Sequence, residues 1–211
     1  MQLQVALDRM PLERAVDITA AVTPLADWIE VGTSLIKQYG MRAVETIVEA
    51  SAGTPVLADL KTADDARWEF TVAYGAGARS ATVLGLAAAA TIDTAVQVAE
   101  EHDREVVVDL MGLDESARAA LATRLPGHVV LAAHVGKDSQ AHGDGPIALL
   151  GSWARGRRVA VAGGLGVDDI PALAGVPSLR VIVGSAVTGA DDPAAAVSGL
   201  LTAARGAEVA R

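Results

Sequence analysis

Eight short runs of β-favouring residues, about 25 residues apart, constrain this chain more than any other feature. They are Leu3–Leu7, Trp28–Val31, Val56–Leu60, Ser80–Leu84, Val106–Leu110, Val129–Ala133, Val159–Ala162 and Val181–Val183. Between them lie Ala-rich segments of helical period, such as Leu12–Val22, Ser34–Ala50, Ala90–His102 and Glu115–Arg124. Strict strand–helix alternation builds βαβ units and a parallel sheet. The runs are apolar on both faces, as a sheet covered by helices requires. Eight units in 211 residues predict an α/β fold, a closed (β/α)8 TIM barrel in a single domain over residues 1–211, with brief loops. An open doubly wound sheet usually has fewer strands, and the first strand here lacks a Gly-rich dinucleotide turn.

Helix punctuation agrees. Asp168-Asp169 precedes Ile170-Pro171, and Asp191-Asp192 precedes Pro193, two N-terminal helix signals. The most irregular loop is expected between Lys137 and Pro146, through Gly143-Asp144-Gly145-Pro146. An excess of 26 Asp and Glu over 17 Lys and Arg gives a net charge of −9, which disfavours nucleic acid as a partner. With six aromatic residues there is little material for base stacking either. The absence of cysteine excludes disulfides, thiol catalysis and Cys-ligated zinc. Met1–Asp8 lacks the basic start and long apolar centre of a signal peptide. Val83–Ala99 is interrupted by Asp93 and is too short to span a bilayer. The expectation is a cytoplasmic protein without a membrane partner.

In a barrel of this kind chemistry gathers where the strands end. The predicted strands close on Asp8, on Glu30 with Val31-Gly32, on Asp59 and Lys61 with Asp64 beyond, on Thr82 with Gly85, on Asp109, on His134, on Gly163-Gly164 and on Gly184-Ser185. Singly, each has a plain structural use. Asp8 and Asp64 could cap helices, His134 could be a hydrogen-bonded core residue, Lys61 a solvated one, and the glycines tight-turn residues. Together they fall on one rim, whereas independent helix caps would scatter over both.

Glu30 and Asp59 end adjacent strands and Asp8 lies beside Glu30, so three carboxylates converge on one mouth. Uncompensated, they would raise one another's pKa values. A divalent cation relieves this, and oxygen-only ligation suits Mg²⁺, with Mn²⁺ also possible. Lys61 adds compensation. After strands seven and eight, Gly163, Gly164, Gly184 and Ser185 can bring bare backbone N–H groups up to a phosphate, with a helix start behind them.

At these positions the chain resembles the orotidine 5′-monophosphate decarboxylase suprafamily, whose Asp-x-Lys-x-x-Asp motif stands here as Asp59-x-Lys61-x-x-Asp64. Within it the likeness is greater to the 3-hexulose-6-phosphate synthases than to the 3-keto-L-gulonate-6-phosphate decarboxylases. It is carried by Leu3–Asp8, Ile29–Thr33, Ala58–Thr62, Thr82–Gly85, Val107–Leu110, His134-x-Gly136-x-Asp138-x-Gln140 and Val161–Gly164, in order along essentially the whole chain. The nucleotide decarboxylases of the suprafamily carry lysine at the position of Glu30 and use no metal, so Glu30 implies the metal-dependent sugar-phosphate branch. The sugar-phosphate decarboxylases have Glu, Thr and Arg where this chain has Asp109, Ala162 and Lys137. Asp109 and Ala162 are synthase-like. Lys137 departs from both patterns, since the synthases have an apolar residue there, and Ser185 stands where relatives often have Gly or Arg.

The resemblance implies a lyase that joins formaldehyde to D-ribulose 5-phosphate through an enediolate. Glu30 and Asp59 would hold Mg²⁺, His134 would remove the C1 proton, and Lys61 would balance the developing oxyanion. Asp8 and Asp109 would position hydroxyls or a water, and the glycine turns would take the phosphate. It also implies a homodimer with shared sites, in which Asp64 serves the partner subunit. A sugar-phosphate decarboxylase is the alternative within the same scaffold. A non-catalytic phosphate-binding barrel is a third reading, and it would be marked by loss of the rim charges.

Overall fold

Strand and helix alternate along the chain as the hydrophobic pattern predicts. The structure, a computed structural model, describes residues 1–141, 145–173 and 176–209; the expected turn at Gly143-Asp144 lies outside them. The strands are β1 (Gln2–Leu7), β2 (Trp28–Val31), β3 (Val56–Thr62), β4 (Ser80–Leu84), β5 (Glu105–Asp109), β6 (Val130–His134), β7 (Arg158–Ala162) and β8 (Leu179–Val183). They pair in parallel and in chain order, and β8 returns to β1 to close a TIM barrel in a single domain.

The helices α1 (Leu12–Val22), α2 (Thr33–Tyr39), α3 (Met41–Ala50), α4 (Ala66–Gly75), α5 (Ala89–Glu101), α6 (Glu115–Arg124), α7 (Ile170–Leu173), α8 (Ser185–Thr188) and α9 (Pro193–Val209) connect or follow the strands. Ser34–Ala50 is not one helix, as its periodicity suggests. Gly40 sits at φ 65° and splits it into α2 and α3, because a left-handed residue cannot continue a right-handed helix. Among the described residues the β6–β7 connection carries short 3₁₀ turns at Lys137–Ser139, Pro146–Leu149 and Ser152–Ala154. No described helix is long and apolar enough to cross a membrane.

Successive residues of a strand face opposite sides, so closure sorts the sequence into two compartments. One parity, including Val5, Leu7, Ile29, Val31, Val108 and Val181, packs outward with Ile18, Leu35, Ile47 and Phe70 of the helices. The other parity fills the barrel with Trp28, Leu57, Val107, Val130, Ala132 and Ala160, with Ile182 against them. That interior is not apolar throughout, contrary to the reading of the strand runs. Gln4 is fully buried, Glu30 and Asp59 are buried, and Arg180 is 3% exposed.

At the N-terminal end of the strands the barrel is closed by charge. Glu105 Oε1 and Oε2 accept from Arg180 at 2.8 and 3.1 Å. Arg158 Nη2 donates to the same carboxylate at 2.6 Å. The Arg180 guanidinium lies 3.9 Å from the centroid of the Trp28 ring. A bidentate pair with a ring beneath it is favourable geometry for a desolvated guanidinium. Removing one partner of such a pair leaves a buried charge uncompensated. Glu105→Ala should therefore lower the unfolding free energy by about 3–5 kcal/mol in urea denaturation. A loss below about 1 kcal/mol, typical of a surface pair, would contradict a structural role for this cluster.

Candidate active site

The inward parity that fills the barrel ends, at the opposite rim, in side chains that carry chemistry. Trp28 leads to Glu30, Leu57 to Asp59 and Lys61, Val107 to Asp109, Ala132 to His134 and Ala160 to Ala162. They line a cavity of about 1190 Å³ together with Asp8, Thr82, Gly163, Gly164, Gly184 and Ser185.

Lys61 is the hub. The β3–β4 register shifts between Ala58 and Thr62, and Lys61 itself has φ 49°. A bulge of this kind re-aims a side chain at a strand end. In place of a ladder bond, the Lys61 N–H donates to Thr82 Oγ1 at 2.8 Å. The ammonium lies 3.1 Å from Asp59 and 2.5 Å from Asp109 Oδ2. Burial opposes its charge, but the Asp59 and Asp109 carboxylates outweigh that and hold Lys61 protonated, above the ordinary lysine range.

Asp109 is equally constrained. Its Oδ2 also lies 2.9 Å from His134 Nδ1, and its Oδ1 accepts from the Met111 N–H at 3.0 Å. Burial works against the charged form. The hydrogen bond from His134 and the Lys61 ammonium overcome it, so the Asp109 carboxyl sits well below the usual carboxylate range. The Lys61 ammonium also lies near Nδ1, but at 3.5 Å, longer than the 2.9 Å contact to Asp109 Oδ2. An ionised carboxylate only accepts, so the shorter contact assigns the hydrogen to Nδ1 of His134, which leaves Nε2 to accept a proton.

Asp59 receives hydroxyls from both flanks, Thr33 Oγ1 at 2.6 Å and Thr82 Oγ1 at 2.8 Å. Glu30 is held differently. Its Oε2 accepts from Gln4 Nε2 at 2.5 Å, and burial, then the Asp59 carboxylate, push it up to about 8. Asp8 faces the start of α2, where its Oδ1 accepts from Ser34 N and Oγ at 3.2 and 2.5 Å. A methyl group on Gly32 would come within 2.2 Å of that carboxylate, so the glycine makes room for Asp8.

Among the described residues no group of three or more His, Asp or Glu side chains converges as a metal cage. Two buried carboxylates that repel each other beside an open cavity still suit Mg²⁺. This ion commonly takes one or two carboxylates and completes its shell with water and substrate oxygens. The donor set therefore fits the expected metal.

Gly163, at φ 123°, turns the chain so closely past β6 that a Cβ there would lie 2.6 Å from the Val135 carbonyl oxygen. Gly164 follows at φ 76°, and Gly184 opens α8 at Ser185. All four expected phosphate-site residues line the cavity, as do Ala162 and Lys137. Lys137 is exposed, with Nζ 3.2 Å from Gln140 Oε1. Asp64 stands apart. It is exposed beyond β3, its Oδ1 accepts from the Asp65 N–H at 2.8 Å, and it is not among the residues lining its own chain's cavity.

Gln4, Thr33 and Ser34 also belong to the site, and the sequence reading missed them. The strand-end pattern points to Thr82 but gives it no role. Position 33 lies next to Gly32 and position 4 has the inward parity of Asp8, so the signal was present but shared with many ordinary residues.

Because the Asp109 carboxyl is depressed, its contribution to stability is complete above the unfolded value near 4 and is lost as pH falls further. The stability gap between the parent protein and Asp109→Asn should thus be full at about pH 6 and shrink steadily below about pH 4. Urea denaturation across that range measures it, and a gap of constant size would contradict the assignment of Asp109 as the ionised centre of the cluster.

Comparison with known proteins agrees with this fold. The chain is 38% identical over 207 residues to the 3-hexulose-6-phosphate synthase of Mycobacterium gastri, covering 96% of this chain and 99% of that one. The crystal structure of 3-hexulose-6-phosphate synthase from Salmonella typhimurium superposes with a TM-score of 0.88 at 33% identity, over 98% of this chain and 100% of the other. That of 3-keto-L-gulonate-6-phosphate decarboxylase from Vibrio cholerae gives 0.84 at 27% identity, over 97% of each chain. The family match spans residues 1–200, nearly the whole barrel with its charged rim, and the chain belongs to the orotidine 5′-phosphate decarboxylase / HUMPS family.

Proposed function

We propose that the chain is a metal-dependent 3-hexulose-6-phosphate synthase, which joins formaldehyde to C1 of D-ribulose 5-phosphate. The observation that carries this is the coupled cluster of Lys61, Asp109 and His134 beside the Glu30–Asp59 carboxylates. It offers a proton acceptor and a fixed cation in one cavity, the pair an enediolate reaction needs. The full-length likeness to proteins of that name supports the same reading.

His134 Nε2 takes the C1 proton, while Asp109 fixes the ring and stabilises the imidazolium. The electron pair left on C1 attacks the formaldehyde carbon as its C=O π bond breaks, and the new alkoxide takes the proton back from the His134 imidazolium. The Lys61 ammonium stabilises negative charge on the ketose oxygen without giving up its proton. Mg²⁺ or Mn²⁺, held by Glu30 and Asp59, would supply Lewis-acid stabilisation of the same charge. The Gly163-Gly164 turn and the Gly184-Ser185 helix start take the phosphate through backbone N–H groups. Asp109, bound on both oxygens, serves the protein's own cluster before any substrate hydroxyl, and Asp8 is similarly tied to Ser34.

Lys137 favours a second reading, because an ammonium at the cavity beside the strand-six histidine could protonate an enediolate after decarboxylation. Incubation with ribulose 5-phosphate and formaldehyde, in parallel with 3-keto-L-gulonate 6-phosphate, separates the two. Turnover of the first pair should dominate and should cease after complete chelation of divalent metal. Turnover of the keto acid alone would replace the proposal with the decarboxylase.

Asp64 supports a homodimer with shared sites. It faces solvent in its own chain, and Trp68, in the first turn of the following helix α4, is 66% exposed. Asp64→Asn and His134→Asn subunits should each lose about 10²–10⁴-fold in kcat. Mixed and reassociated, they should regain activity, because one site of the hybrid carries neither lesion. No regain in confirmed hybrids would exclude the shared site.

A further inference from the structure

Gln4 is fully buried inside the barrel, on the inward face of β1. A buried amide must satisfy both of its ends. Its Nε2 donates to Glu30 Oε2 at 2.5 Å, and its Oε1 accepts from Arg180 Nη1 at 3.4 Å. The two ends are not exchangeable. A guanidinium only donates, so a flipped amide would set donor against donor at Arg180 and would withdraw the Nε2 donor from Glu30. Arg180 is itself immobilised by two bonds to Glu105 and by the Trp28 ring beneath it. A continuous polar line thus runs through the barrel interior, from Glu105 at the closed end, through Arg180 and Gln4, to Glu30 at the open end.

The consequence falls on Glu30. The amide hydrogen engages Oε2, whereas Oε1 accepts no hydrogen bond from the described residues. The carboxylate is therefore turned one way, with one oxygen spoken for and one available at the cavity. We propose that Gln4, locked by Arg180, is a positioning residue that sets the Glu30 carboxylate and so governs the affinity of the site for its divalent cation. The inference rests on the reading of Glu30 and Asp59 as metal ligands. Residues that hold a ligand from behind generally change metal affinity by about 10–100-fold when removed.

The test is Mn²⁺ binding to the full chain without substrate, followed by calorimetry or by the loss of the free-ion paramagnetic resonance signal. Gln4→Met keeps an unbranched side chain of similar volume and removes the donor. Urea denaturation in parallel reports its stability, and Gln4→Leu gives the same comparison should the methionine variant not fold. The Mn²⁺ Kd should rise about 10–100-fold in the folded Gln4 variant, and Glu30→Gln should bind more weakly still. A Gln4 variant with parental Mn²⁺ affinity, where Glu30→Gln has lost it, would reduce Gln4 to a packing residue and overturn the inference. Parental affinity in Glu30→Gln would instead overturn the ligand assignment beneath it.

Discussion

Closing eight parallel strands on themselves sends every second side chain into the barrel interior, and this parity governs the rest of the molecule. The outward set is apolar and is covered by the helices, so it supplies most of the buried surface that holds the fold. The inward set is small and mixed. Because it has the same parity at both ends, a single geometric rule places Glu105 and Arg180 at the closed end and Glu30, Asp59, Lys61, Asp109 and His134 at the open end.

A charged interior is admissible only where each charge meets an opposite or a donor. The closed end meets that condition on its own, with two arginines around one glutamate. The open end does not. Lys61 and His134 answer Asp109 and part of Asp59, while Glu30 is left with an amide and a pKa pushed up to about 8. The molecule is thus paired at one pole and anionic at the other, and a cation together with a substrate's hydroxyl groups would complete it. Buried pairs of this sort contribute more to defining one arrangement than to net stability.

Much of this was legible in the sequence because parity is a short-range rule. Asp59 and Lys61 are two residues apart, so strand alternation puts them on one face, and the bulge at Lys61 keeps its ammonium beside Asp59. The strand count and their spacing gave the closed barrel, and the residues ending each strand gave the rim. What escaped depends on pairing across the barrel. Glu105 and Arg180 are 75 positions apart and read singly as ordinary surface charges at strand starts. Gln4 sat inside an apolar run and looked incidental. The Ser34–Ala50 segment keeps its helical period through Gly40, and only the positive-φ backbone there shows two successive helices. Asp64 illustrates the converse. Its place in a motif points to a residue that serves a partner, and within its own chain it lies in solvent beyond β3.

The left-handed backbone of Lys61 carries a consequence for anyone reshaping this barrel. A non-glycine residue at φ 49° stores about 1–3 kcal/mol of conformational strain. Gly or Asn, residues at ease in that region, would relieve that strain. Either exchange would discard the ammonium that reconciles two carboxylates and an imidazole. Position 61 is therefore where backbone strain and side-chain electrostatics pull in opposite directions; because breaking a buried pair costs about 3–5 kcal/mol, the ammonium outweighs the strain, and a heat-hardened version of this protein should draw its gains from the helix–strand shell instead.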